Sequence, residues 1–297
     1  MGSLGTDEPL DFYSSPYLAE HYDLICAQEG SFFKDIEIFS AELMQIRDRK
    51  RAKFQDPDAL VVIDVGTGTG RALHGLAQKA LKNGIDLSKV TFLGFDLSQD
   101  MVNRAAQTRD LTGVGHVEWV CASAVDLDSV VCARGFHGKV DLIMFADGGI
   151  LHLTTPEEGH KFLRGLEMSL RPGIGRACIS VTNRESVDDL HYYDTEASGK
   201  GAVEYESQHF PNLIYRNTLT GITEEGTVGI STFQFEVWKV QEDGRRELVE
   251  SRVTRLAGRW WTQSEMKDLI GEVPGIYLAE IASPDNRQIF YTVEVQQ

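Results

Sequence analysis

The stretch Val61-Val62-Ile63-Asp64-Val65-Gly66-Thr67-Gly68-Thr69-Gly70 decides how the chain is read, because an apolar strand here runs into three glycines at alternate positions. A buried parallel strand that turns sharply into a helix needs dihedrals that glycine supplies, and a backbone without Cβ atoms lets a ligand approach closely. Backbone N–H groups then face that ligand. The dinucleotide fingerprint is G-x-G-x-x-G, but here the third glycine comes one residue early and Arg71 takes the expected place. That spacing points away from a pyrophosphate. A nucleoside cofactor without phosphate fits better, held by backbone and by the Asp64 carboxylate rather than by a helix N-terminus gripping an anion. S-adenosylmethionine is the candidate these features suggest, and a tight turn with no ligand is the alternative.

Outward from the turn, strand and helix patterns alternate. After Val61–Val65 come a helix over 72–82, a strand over 90–95, a helix over 100–107 entered through Ser98, and strands over 117–121 and 140–146. Thr155-Pro156-Glu157-Glu158 places a cap, a first-turn proline and a capping-box glutamate before Phe162, Leu166 and Leu170. Arg171-Pro172-Gly173 ends that helix, and 176–181 supplies a fifth strand. Upstream, Phe32, Phe33, Ile36, Phe39, Leu43 and Ile46 recur on a helical period within 9–55 and predict an amphipathic helix before the sheet.

Beyond Thr182 the period changes to two, with antiparallel strands expected over 214–220, 230–240 and 248–256 and a turn at Glu242-Asp243-Gly244. A second capping box, Thr262-Gln263-Ser264-Glu265, opens a helix through Ile270, and 276–281 with Gln288–Val295 form a closing hairpin. The expected fold is α/β: a Rossmann-like, mostly parallel seven-stranded sheet with helices on both faces, plus an antiparallel β insertion as a lid. The expected division is a helical lid segment over 1–56, a cofactor domain over 57–183 and 257–297, and the insertion over 184–256.

Composition excludes several function classes. The formal charge of −16 disfavours nucleic acid and anionic membranes, whose phosphates need clustered Lys and Arg. No apolar run reaches the length of a bilayer span, and the start, Met1 to Glu8, lacks a basic region and an apolar core, so a soluble cytoplasmic protein is expected. Gly2 followed by Ser3, Leu4, Gly5 and Thr6 fits a myristoylation pattern, but Asp7 and Glu8 give it no basic support. Cys26, Cys121, Cys132 and Cys178 are scattered and read as reduced thiols, and no histidine pattern supports a metal. Oligomeric state stays open between monomer and homodimer.

The order of elements, the glycine turn after the first strand and the final hairpin resemble the class I S-adenosylmethionine-dependent methyltransferases over roughly residues 17–183 and 257–295. The resemblance implies cofactor contacts at Asp64, Gly66, Thr67, Gly68, Gly70 and Phe145, with Asp64 orienting the ammonium side. Asp96 would accept from both ribose hydroxyls, as a carboxylate at a strand C-terminus can. Leu97 follows it, and Met101 would pack on the adenine face. After the third strand the family often has an acid for the adenine amino group. Here Cys121-Ala122-Ser123-Ala124-Val125-Asp126 puts Ser123 in that place, with the Ala124 N–H for a ring nitrogen and Asp126 as the alternative acceptor or a solvated loop residue.

Within the family the layout resembles small-molecule N-methyltransferases of the amino-sugar type. Tyr17-Leu18-Ala19-Glu20-His21-Tyr22-Asp23-Leu24 is similar to their lid segment, in which Tyr22, or His21 if the register differs, reaches cofactor or acceptor. Phe145-Ala146-Asp147-Gly148-Gly149-Ile150-Leu151-His152-Leu153 resembles their loop after the fourth strand, which ends in a histidine facing the acceptor. It lacks the Asn/Asp-Pro-Pro-aromatic clamp expected for nucleic-acid bases. In-line methyl transfer to an amine or hydroxyl needs positioning and exclusion of water, and a base where the acceptor carries a proton; His152 suits that task, or else caps its own loop. Aromatics of the insertion and its flanks, Tyr192, Tyr193, Tyr205, Phe210, Tyr215, Phe233, Phe235, Trp238, Trp260 and Trp261, wall the acceptor pocket or form sheet core. Arg259 orients the acceptor or pairs with a nearby acid. The expected activity is methyl transfer to a small-molecule amine or hydroxyl, a natural-product or metabolic intermediate; the alternative is a non-methylating cyclisation or rearrangement on the same cofactor.

Overall fold

Along Val61–Val65 (β1) the side chains alternate between two buried surfaces: Val62 joins Phe92, Leu142 and Met144 on one side of the sheet, and Ile63 and Val65 join Leu93, Ile143 and Phe145 on the other. Burial on both faces is what a central parallel strand requires. The structure is a computed structural model that describes residues 13, 15–28, 34–54, 56–183, 202–284 and 287–296. Phe32, Phe33, Tyr192, Tyr193 and the Gly2 segment lie outside the described residues.

From β1 the chain runs α3 (Arg71–Lys82), β2 (Thr91–Asp96), α4 (Gln99–Thr108), β3 (His116–Cys121), α5 (Leu127–Ala133), β4 (Leu142–Phe145), α6 (Pro156–Ser169) and β5 (Arg176–Thr182). Before β1 stand two helices rather than the one expected from the upstream stripe, α1 (Pro16–Gln28) and α2 (Asp35–Arg51). After β5 come β6 (Val203–Glu206), β7 (Leu213–Glu225), β8 (Val228–Val240), β9 (Arg246–Arg259), α7 (Gln263–Gly271), β10 (Ile276–Ala282) and β11 (Gln288–Val295). Both capping boxes form, at Thr155/Glu158 and Thr262/Glu265, and Ser98 caps α4 by accepting from the Met101 N–H.

The main sheet has seven strands in the order β10-β11-β5-β4-β1-β2-β3, with β11 antiparallel to both of its neighbours and the strands from β5 to β3 parallel. This is the Rossmann-like architecture. α2 and α3 cover one face and α5, α6 and α7 the other. The order reverses between β1 and β4, which opens a crevice at their C-terminal ends, where open α/β sheets bind ligands.

The other sheet is an antiparallel meander, β6-β7-β8-β9. β9 runs on to Arg259, past the expected boundary at 256/257. Its core is small: Tyr215, Phe235 and Val237 pack on Leu18 and Leu24 of α1. Glu20 of α1, fully buried, accepts from Ser207 Oγ (2.8 Å), the Gln208 and His209 N–H groups (2.8 Å each) and Tyr215 OH (2.6 Å). Asp23, on the next turn of α1, accepts from Thr69 Oγ1 of the glycine turn (2.6 Å) and pairs with Arg104 and Arg109. α1 is therefore bolted to the meander by one carboxylate and to the glycine turn by another.

Candidate cofactor and acceptor cleft

The glycine turn divides its labour. Gly66, Gly68 and Gly70 all adopt left-handed dihedrals, with φ of 61°, 55° and 78°. Gly66 and Gly68 open onto a cleft of about 280 Å³, whereas Gly70 is buried and a Cβ there would lie 2.6 Å from the Trp119 ring. The early third glycine is thus a packing residue: it lets α3 and its turn close on β3.

Of the residues expected at the cofactor, Gly66, Gly68, Asp96, Leu97, Met101, Ser123, Ala124 and Phe145 line this cleft, and so do Tyr22 and His152. Asp64, Thr67 and Gly70 stand behind the turn instead. Asp96 ends β2, and its two oxygens accept from the Gly68 N–H and the Ser98 N–H, each at 2.9 Å. Burial holds its carboxyl above the ordinary aspartate value, partly offset by those two donors. Each oxygen keeps a further lone pair for a ligand hydroxyl. Leu97 leaves 75% of its surface exposed beside the buried Met101, which is an apolar platform of the kind a purine face covers. Ser123 caps the short turn Ala124–Asp126. Asp126 does not line the cleft and reaches Lys161 at 3.2 Å.

Asp64 has one oxygen on Thr67 Oγ1 (2.7 Å), and its Oδ1 is buried with no partner. Burial pushes this carboxyl up to about 7. An unpartnered carboxylate oxygen just behind the turn favours a cation-bearing ligand over an anionic one at the cleft, without touching it. The glycine cradle, the exposed Leu97 and the orphan Asp64 oxygen together suit S-adenosylmethionine.

Across the cleft, Tyr22 OH donates to Asp147 Oδ2 (3.0 Å), and Gln288 Nε2 reaches Asp147 Oδ1 at 3.4 Å. Burial and the Asp147 carboxylate hold the Tyr22 phenol well above its ordinary value, so it stays a donor. Asp147 itself has φ 51°, an uncommon value outside glycine, just before Gly148 at 65°. His21 faces away, edge-on to Tyr205, Tyr215 and Phe235, and burial lowers its imidazole to about 4.

His152 ends the turn Gly149–His152 after β4, its Nδ1 3.3 Å from the Ala257 carbonyl of β9 and its ring edge-on to Tyr13. A carbonyl only accepts, so Nδ1 carries the proton and Nε2 keeps its lone pair. The surrounding protein lowers its pKa by desolvation, leaving it neutral at pH 7, although the ring is open to the cleft. Tyr13, Glu158 and Arg255 also line the cleft, and sequence reasoning missed them. They lie on three separate elements with no shared motif. The insertion aromatics are not in the wall: Tyr215, Phe233 and Phe235 are sheet core, and Trp261 is buried against α6 and α7. Arg259 pairs with Glu265 (2.8 Å) and stacks on Trp261.

The crevice carries no phosphate signature at its turn and is lined by a tyrosine, a carboxylate and a neutral histidine beside the antiparallel sheet. Residues 62–173 match the methyltransferase-domain family model. An N-methyltransferase of Cladobotryum, FrzE, is 30% identical over 249 residues, covering 82% of this chain and 83% of that protein. Among solved structures, DesVI of Streptomyces venezuelae superposes with a TM-score of 0.55 at 18% identity, covering 93% of this chain and 98% of that one. The S-adenosylmethionine-bound amino pentose methyltransferase CalS10 of Micromonospora echinaspora gives 0.54 at 17% identity, covering 93% and 97%. The chain belongs to the methyltransferase family.

Proposed function

We propose that this methyltransferase acts on a small-molecule amine, with His152 as the base and Tyr22 and Asp147 positioning the reactants. The observation that carries the reading is the His152 to Ala257 hydrogen bond, which fixes the tautomer and leaves Nε2 to take a proton. When bound, the cofactor supplies an activated methyl group. An amine is protonated in water at pH 7 and has no lone pair to attack with until it gives up that proton. His152, kept neutral by desolvation, is in the state that accepts it. The Asp147 carboxylate favours an ammonium arriving in the cleft, and Tyr22 holds that carboxylate in place. Gly66, Gly68, Asp96, Leu97, Met101, Ser123 and Ala124 would hold the cofactor, and α1 with the meander would cover it against water.

The names of FrzE and CalS10 support an amine acceptor, as does the net charge of −16, which also argues against nucleic acid. Four free cysteines, two of them buried, are consistent with work in the reducing cytoplasm. Among the described residues no helix is long and apolar enough to cross a membrane.

The test separates binding from chemistry. Asp96→Ala should weaken cofactor affinity by about a hundredfold, since a carboxylate holding two backbone donors and the ligand is lost. His152→Ala should lower kcat by about a hundredfold or more while calorimetric cofactor affinity holds. The wild-type rate should decline on acidification only below the ordinary histidine value near 6.5. Equal loss of binding and rate in His152→Ala would remove the base assignment.

A further inference from the structure

Acidic residues outnumber basic ones by 45 to 29, and most arginines of the fold sit on carboxylates: Arg71 on Asp35, Arg171 on Asp141, Arg176 on Glu42, Arg252 on Glu250. Arg255 is different. It lines the cleft, its side chain is exposed, and among the described residues it has no ion pair or hydrogen bond. It precedes by two residues Ala257, whose carbonyl orients His152. Two residues of a strand span about 7 Å, so Arg255 and the carbonyl that holds the proposed base stand close along β9, and both border the same cleft as His152.

The field of the whole chain repels anions, and a free guanidinium at the cleft is the local exception to it. The same cleft carries the Asp147 and Glu158 carboxylates. Asp147 already accepts from Tyr22, and Glu158 Oε2 already accepts from the Thr155 N–H (3.1 Å), so both carboxylates are held in place. A cleft that offers both fixed carboxylates and a planar bidentate donor is matched to a molecule with both signs.

We infer that the acceptor is an amine that also bears an anionic group, a carboxylate or a phosphate, and that Arg255 receives this group while the nitrogen faces His152. This rests on the N-methylation reading above. Arg255 then sets which amines are used, by binding the end of the acceptor that does not react.

The experiment compares matched pairs of probes with the full-length enzyme and saturating S-adenosylmethionine: leucine against leucinamide, phenylalanine against phenylalaninamide, and O-phosphoethanolamine against ethanolamine. In the wild type, at least one anionic member should exceed its neutral partner in kcat/KM by about tenfold or more, the range of a charge-assisted bidentate contact. The pair that shows it tells carboxylate from phosphate. Arg255→Gln should bring that ratio close to one, mainly through KM, and Arg255→Lys should keep part of it. A ratio near one in the wild type, or one that survives Arg255→Gln, overturns the inference. So does a fall in cofactor affinity for Arg255→Gln with an unchanged ratio, which would put the cofactor's own carboxylate on Arg255. If the wild type binds cofactor and methylates hydroxyls but no amine, the N-methylation reading fails, and the inference with it. If neutral amines are methylated and anionic ones are not, only the inference fails.

Discussion

The two halves of the cleft are made in different ways. The half we propose for the cofactor comes from the ends of consecutive parallel strands: Gly66 and Gly68 after β1, Asp96 and Leu97 at β2, Ser123 and Ala124 after β3. The half we propose for the acceptor is assembled from a residue before α1, a turn after β4, the start of α6 and a strand of the insertion, at Tyr13, His152, Glu158 and Arg255. The first half is rigid because the sheet is buried on both faces. The second depends on how well α1 and the meander are fastened down. A change that loosens the fastening should spare one half and disable the other.

Glu20→Ala is the strongest test of that asymmetry. It leaves four donors around a fully buried site unmet, so the meander should lose about 3 kcal/mol or more of its attachment. Acceptor turnover should collapse while cofactor affinity falls far less. Burial alone would raise the Glu20 pKa, but its donors hold it below the ordinary glutamate value. A depressed carboxyl stabilises the fold above its unfolded pKa near 4.5, and that contribution is lost as pH falls through the folded value. Tm followed below pH 5 should show this loss in the wild type, and Glu20→Gln should flatten it. An equal loss of cofactor affinity in Glu20→Ala would erase the distinction between the halves.

A pair of glycine variants sharpens the comparison within the cofactor half. Gly70→Ala adds a Cβ 2.6 Å from Trp119 at a left-handed φ, so it should cost about 3 kcal/mol in chemical denaturation. Gly68→Ala meets nothing nearer than the Tyr22 ring at 3.7 Å. It should cost only the dihedral strain, about 1–2 kcal/mol, and show most of its effect in cofactor affinity. Reversal of that order would mean that Gly70, not Gly68, faces the ligand.

The smallest effect belongs to Asp64. Its folded pKa of about 7 lies above the unfolded value of 3.8, so the folded state takes up the extra proton. The carboxyl therefore costs stability fully above pH 7, and the cost fades as pH falls toward 4. Asp64→Asn without ligand should melt slightly higher than the wild type at pH 8 and no higher at pH 4, and it should bind cofactor more weakly at both. A variant less stable at pH 8 would mean that the charged form is already satisfied.

The same contrast explains what was legible in the sequence. The β1 turn, the Ser98 cap, both capping boxes and the closing hairpin are local, each signalled within a few residues, and the structure has all of them. The split between Gly68 and Gly70 was not legible, because it turns on Trp119, roughly fifty positions downstream of the loop by sequence count. Alternation correctly placed Phe233 and Phe235 on one buried face. Short strand β6 and helix α5 carried too few residues for a period to show. Arg255 and Glu158 gave no signal, since one is a strand arginine and the other already had a complete explanation as a capping-box glutamate.

We propose that this cleft moves a methyl group from S-adenosylmethionine to the nitrogen of a small molecule. Cofactor labelled with ¹³C in the methyl group, incubated with the enzyme and the amine panel and read by mass spectrometry and NMR, tests it most directly. The product should carry the label on nitrogen, with one S-adenosylhomocysteine formed for each. A product formed without the label, or the label found only on oxygen or carbon, would contradict it.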